Sequence, residues 1–235
     1  MKPGKLYLIP TVLYDDAFET IPPYIIAAVQ DCQVFFVENE KTARRFLKKL
    51  WKEMVIDDYQ WFAIHKAEQE VKKQFLQLLH SGKNIGIISE AGCPGIADPG
   101  QILVEAAQLA NIHVKPFVGP NSILLALMAS GMNGQSFRFH GYLPIDSLER
   151  KKKIRELEAD SFKNQCTQIF IETPYRNNSL IRDIMQTCKD QTRVCIAVDI
   201  TAGSETIRTK SVKEWKENEE DIHKRLAIFL LQAAN

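Results

Sequence analysis

Short runs of Val, Ile and Phe recur along this chain between longer segments whose apolar residues fall at helical spacing. That alternation points to an α/β fold on a largely parallel sheet. In the first half the predicted strands are Leu6 to Leu13, Gln33 to Val37, Asn84 to Ser89 and His113 to Phe117. Between them, Pro22 to Gln30, Thr42 to Glu53, Lys66 to His80 and Gln101 to Ala110 read as helices, the third stopping at Gly82 in the way glycine commonly ends a helix. After Gly119-Pro120 the pattern changes. Ser122 to Ser130 is a compact apolar helix that leads through Gly131 into a strand at Phe137 to Gly141. A boundary is therefore expected near Val118, giving two α/β domains over residues 1–117 and 118–235. The second half adds a charged helix at Leu148 to Leu157, strands at Gln168 to Glu172 and Arg193 to Asp199, and a helix from Arg176 to Cys188. An extended segment follows at Glu205 to Lys210, and Arg225 to Gln232 is assigned as strand, although its periodicity alone fits a helix too.

Composition narrows the function classes. With 235 residues and 45% apolar content, the chain can bury a sizeable core. Its 30 Lys and Arg against 29 Asp and Glu leave a net charge of +1, so no whole-molecule field draws in a polyanion and any nucleic-acid contact must come from a local patch. The five cysteines are scattered and form no Cys-x-x-Cys pair, which predicts a reducing compartment and no metal. The start lacks the long apolar core of a signal peptide, and no run approaches the roughly 20 apolar residues that span a bilayer. A cytoplasmic protein is expected.

The stretch Ile87-Ile88-Ser89-Glu90-Ala91-Gly92-Cys93-Pro94-Gly95-Ile96-Ala97-Asp98-Pro99-Gly100 leaves a buried strand and carries three glycines and two prolines before the next helix. Small residues let a ligand approach the main chain, prolines fix the path, and loops at the carboxyl ends of parallel strands are where α/β proteins bind ligands. The plainer reading is a long tight turn. No Gly-Lys-Ser or Gly-Lys-Thr follows, so the loop is not a nucleoside triphosphate site. Ile9-Pro10-Thr11-Val12-Leu13-Tyr14 stands where a dinucleotide fold would place Gly-x-Gly-x-x-Gly.

Ser89 to Gly100 resembles the signature loop of the tetrapyrrole-methylase, or class III, S-adenosylmethionine-dependent methyltransferases, in particular the branch that methylates small-subunit ribosomal RNA. Three further segments resemble that family in the right order. They are Val118-Gly119-Pro120-Asn121-Ser122-Ile123 running into Leu127-Met128-Ala129-Ser130-Gly131-Met132, then Phe137-Arg138-Phe139-His140-Gly141-Tyr142-Leu143-Pro144, then Phe170-Ile171-Glu172-Thr173-Pro174-Tyr175-Arg176. The resemblance implies two α/β domains with S-adenosylmethionine folded into the cleft between them, in a homodimer. Carried over residue by residue, it puts the cofactor against Pro10, Ala91, Gly92, Cys93 and Ile96, and against Asn121, Ser122 and Thr173. The departures lie at Val12-Leu13-Tyr14-Asp15-Asp16, where family members carry Thr-Pro-Ile-Gly-Asn, and at Glu90, Cys93 and His140, where Asp, Thr and Glu are usual. The sequence ends at Asn235, short of the small extra C-terminal domain of many relatives, so the substrate is less fixed by the resemblance than the fold is.

Methyl transfer from a sulfonium is an in-line displacement with an activated donor, and no protein nucleophile is required. A ribose 2′-hydroxyl acceptor calls for a general base, for which Glu38 and Glu90 are the candidates. Asp98 is a third carboxylate, read first as a helix-start cap, and Cys93 as a small cofactor-lining residue. His140 reads as a satisfied structural histidine. Arg44, Arg45, Lys48 and Lys49, together with Arg150 to Lys153 and Arg176, offer a basic rim for RNA or simply a solvated face, with 45, 48 and 49 expected on one side of their helix. The leading function is 2′-O-methylation of a cytidine in small-subunit (16S) rRNA. The alternatives are methylation of a tetrapyrrole or other small metabolite, or a cofactor-binding paralogue that has lost catalysis.

Overall fold

Val34-Phe35-Phe36-Val37 is buried at all four positions, as a strand covered on both faces must be. Alternation then sends Phe35 and Val37 into one apolar cluster, and Val34 and Phe36 into another. In the computed structural model, which describes residues 2–64, 68–218 and 220–234, this strand lies inside a five-stranded parallel sheet. The sheet is built from β1 (Leu6–Ile9), β2 (Val34–Val37), β3 (Gln60–Ala63), β4 (Ile85–Ile88) and β5 (Val114–Pro116), in the order β3-β2-β4-β1-β5. Helices α1 (Ile25–Asp31) and α2 (Glu40–Leu50) bury Ile25, Val29, Phe46 and Leu47 on one face. Helices α3 (Glu68–His80) and α4 (Gln101–Leu109) bury Phe75, Leu79, Leu103 and Ala107 on the other. The expected helix start at Lys66 lies outside the described residues.

This arrangement has one consequence for function. β1 and β4 are neighbours, with Ile9 paired to Ile88 at their carboxyl ends. The chain leaving β1 turns to the face of α1, and the chain leaving β4 turns to the opposite face, that of α4. The carboxyl ends of adjacent strands whose connections diverge in this way are the usual ligand position in α/β sheets.

The division into two compact units falls after Asn121, giving residues 1–121 and 122–235. Residues 118–121 go with the first unit because Gly119 packs so closely on Pro10 that a Cβ there would lie 2.1 Å from the Pro10 Cβ. The second unit holds α5 (Ser122–Ser130), β6 (Phe137–Tyr142), α6 (Ser147–Asn164), β7 (Thr167–Ile171) and α7 (Asn177–Thr187). It continues with β8 (Arg193–Val198), β9 (Thr206–Ser211), α8 (Val212–Glu217) and β10 (Ala227–Gln232). Its sheet runs β6-β7-β10-β8-β9 and is mixed, which corrects the expectation of a largely parallel sheet for this half. Only β6 and β7 are parallel, and β10 pairs antiparallel with both β7 and β8.

The register of β6 on β7 shifts between Phe139 and Tyr142, with Gly141 at φ +65°, a bulge that re-aims the strand before Leu143-Pro144. Helices α6 and α7 are locked together by the Arg150 and Asp183 side chains, only 3% and 7% exposed. Arg150 is therefore a buried structural cation and not part of a basic rim. Lys151 pairs with Asp183 as well, and Lys153 with Glu156, which leaves little of the expected 150–153 cluster available to a ligand. Arg176 is likewise ion-paired, to Glu172 at 2.6 Å. Among the described residues no helix is long and apolar enough to cross a membrane.

Candidate active site

The loop that leaves β4 is tied to the chain leaving β1. The Thr11 amide donates to the Gly92 carbonyl at 2.9 Å, and the Thr11 hydroxyl to the Ser89 carbonyl at 3.3 Å. Gly92 sits at φ +72°, and a Cβ there would lie 3.2 Å from both Leu13 Cδ2 and the Pro120 carbonyl oxygen. Glycine is thus required where three chain segments meet. Cys93 follows with its thiol 3.5 Å from that same Pro120 carbonyl. Burial pushes the Cys93 thiol up from its ordinary value, against the opposing hydrogen bond to the Asn121 side chain. Pro10, Gly92, Cys93 and Asn121 are in this way gathered at one end of the first sheet, with Ala91 and Ile96 exposed beside them.

Asp98 holds the far side of the loop. Its two carboxylate oxygens accept the Gly95 and Gly100 amides at 2.8 and 2.7 Å, immediately ahead of α4. Burial raises its carboxyl from the ordinary value while both amide bonds act to lower it. It is the brace of the turn rather than the N-cap, which is Gly100.

Glu38 and Glu90 are adjacent. A Glu38 carboxylate oxygen accepts the Glu90 amide at 2.9 Å, and a Glu90 carboxylate oxygen accepts the Thr42 hydroxyl at 2.8 Å. The link works because Asn39 caps α2, its side chain accepting the Lys41 and Thr42 amides. Asn39→Ala is expected to lower stability by about 1 kcal/mol, measured by chemical denaturation, and to loosen the placement of Thr42. Beside Ser89 and Glu90 a pocket of about 210 Å³ opens between α2 and the segment from Thr11 to Phe18.

Of the four expected basic residues on α2, two are engaged elsewhere. Arg44 pairs with Glu40 and stacks on Trp61, and Lys48 donates to the Met54 carbonyl, so 45 and 49 face the pocket without 48. Ser122 and Thr173 belong to the second unit. Ser122 opens α5, and Thr173 follows β7, where its amide donates to Glu172 and its hydroxyl accepts from Arg176 at 3.1 Å. His140 is hydrogen-bonded to Gln168 at 2.6 Å, a satisfied histidine on a strand. Sequence reasoning did not find Thr42 or Asn39; the Asn-x-x-Thr spacing at a helix start was the available signal.

The profile of the tetrapyrrole (corrin/porphyrin) methylases matches residues 18–216. The chain belongs to that family, whose members are S-adenosylmethionine-dependent methyltransferases. Its curated relatives include proteins named ribosomal RNA small subunit methyltransferase I. The one from Vibrio cholerae is 36% identical over 154 residues, 65% of this chain and 52% of the relative. The one from Escherichia coli O157:H7 is 28% identical over 233 residues, 97% of this chain and 78% of the relative. The match thus spans about half the length of the first of these. Among solved structures, the methyltransferase CobJ superposes with a TM-score of 0.64 at 14% identity, covering 98% of this chain and 95% of that one. Uroporphyrin-III-C-methyltransferase from Thermus thermophilus gives 0.57 at 14% identity, covering 99% and 93%. These likenesses show the two-domain α/β fold.

Proposed function

We propose that this chain is an S-adenosylmethionine-dependent methyltransferase that acts on small-subunit rRNA in the cytoplasm, at the 2′-hydroxyl of a cytidine. The observation that carries the cofactor part is the 89–100 loop, fixed at the strand ends by Gly92, Asp98 and the Thr11 bond and built of small residues. The rRNA part is supported by the names of the relatives. The residues fit the cofactor: no side chain from 91 to 97 is larger than isoleucine, so a zwitterionic nucleoside can reach backbone donors and carbonyls. Pro10, Ala91, Gly92, Cys93, Ile96 and Asn121 of the first unit, and Ser122 and Thr173 of the second, are the residues assigned to hold it. The family resemblance also supports a homodimer.

Bound there, the cofactor supplies a methyl group on a positively charged sulfur. The protein's task is alignment and removal of one proton. Glu90, exposed and lining the pocket, is assigned as the general base for the ribose hydroxyl. Glu38 positions it through the Glu90 amide.

At a cofactor concentration of 100 times Kd, the folded state should gain about 2.7 kcal/mol, visible as a raised Tm. No stabilisation by S-adenosylmethionine or its demethylated product would reject the reading. Small-subunit rRNA from cells lacking this chain should lose one 2′-O-methylcytidine. An unchanged nucleoside profile with cofactor binding intact would favour a tetrapyrrole or other small-metabolite acceptor.

A further inference from the structure

Thr42, Arg45, Phe46 and Lys49 recur at the i, i+3, i+4, i+7 spacing of one helical face, and all four line the pocket beside Glu90. The floor is aromatic, with the Phe18 and Phe46 rings stacked at 5.7 Å between centroids. Lys49 is loosely engaged, its ammonium 3.7 Å from Asp16 and 5.5 Å from the centre of the Phe18 ring. Arg45 is exposed and has no ion-pair or hydrogen-bond partner among the described residues. It is the one guanidinium of α2 left to a ligand, since Arg44 is taken by Glu40.

We propose that this pocket receives the acceptor nucleotide of the RNA strand, with Arg45 binding the phosphodiester next to the ribose that is methylated. The inference rests on the RNA reading given above and assigns its substrate site. A planar guanidinium matches two phosphate oxygens at once. A nucleotide also presents donors, and Asp15 and Glu90 in the lining accept them. Glu90 lies in both the signature loop and the pocket, so a ribose held here presents its hydroxyl to the assigned base. The anion recognised by Arg45 has two conceivable sources, an RNA phosphate or the carboxylate of the cofactor, and the proposal commits to the first.

The test uses the full chain, with small ribosomal subunits purified from cells lacking it as one probe and S-adenosylmethionine as the other. Arg45→Ala should weaken subunit binding about tenfold or more at low salt. It should also make the slope of log affinity against log salt shallower by about 1. Cofactor affinity should stay within about twofold of the wild type, since the loss expected is of a phosphate contact. Arg45→Lys should recover part of the loss. Lys73→Ala, on α3 and the opposite face of the sheet, removes one exposed charge and should change neither affinity. Subunit binding by Arg45→Ala with wild-type affinity and slope would overturn the proposal, as would an equal loss in Lys73→Ala. A fall in cofactor affinity without one in subunit binding would overturn it too, by giving the pocket to the cofactor carboxylate. A wild-type chain that binds cofactor but no subunit would instead sink the RNA reading on which the proposal stands.

Discussion

Asp183→Ala is expected to destabilise the second unit by about 3–5 kcal/mol, read as a drop in denaturant midpoint. The Arg150 side chain is 3% exposed, and Asp183 is its counter-charge, accepting from Nε at 2.7 Å. The same carboxylate accepts the Ser147 hydroxyl at 3.1 Å, so its loss also unseats the first turn of α6. Arg150 would keep its bonds to the Ile145 carbonyl and the Ser179 hydroxyl, but a buried cation would face no anion. Replacing both partners, as Arg150→Met with Asp183→Leu, should lose much less, because no charge is then stranded. A single-variant loss below about 1 kcal/mol would show that water reaches the Arg150 guanidinium, and that the pair is not what joins α6 to α7.

Gly92→Asp is expected to abolish cofactor binding by calorimetry while leaving the far-ultraviolet circular dichroism of a folded α/β protein. The physical cause is the crossing of chains. At φ +72° any side chain is strained by about 1–3 kcal/mol. Its Cβ also meets Leu13 and the Pro120 carbonyl at 3.2 Å, before the carboxylate is even placed. The aspartate displaces the Leu13 side chain or the Pro120 carbonyl, which disturbs the Thr11 bond and the seat of Cys93 beside Asn121. Gly92→Ala should show a weaker form of the same defect. Wild-type cofactor affinity in Gly92→Asp would place the cofactor elsewhere than this loop.

The sequence pattern located the strands whose residues are covered on both faces, since four buried apolar residues in a row admit few alternatives. It missed β3, where Gln60-Trp61-Phe62-Ala63 lies at a sheet edge and is only partly buried, so that neither alternation nor a long apolar run marks it. β1 ends at Ile9 rather than Leu13 because Pro10 has no amide to continue the ladder. α2 starts two residues before the expected Thr42, at Glu40, where Asn39 supplies the cap, and α6 runs on to Asn164 past the expected Leu157. α8 was legible and overlooked: Ser211 and Glu214 form a capping box. Within the site, the loop glycines and small residues stood out by composition. The bond from Thr42 to Glu90 did not, because it joins residues far apart in sequence through a sheet that only folding assembles. For the same reason the charge clusters misled. Arg150 and Lys48 look solvent-facing in a string of letters, and only the packing of neighbouring helices shows which cations are taken.

The last strand of the chain, β10, fills the middle of the second sheet. All strands of the first unit lie before residue 117, so that unit can finish folding while synthesis continues. The sheet of the second remains in two pieces, β6 with β7 and β8 with β9, until residues 227–232 leave the ribosome and join them. A chain stalled or clipped before Ala227 would present the bare apolar margins of β7 and β8, a surface suited to chaperones and proteases, and to pairing with another such chain.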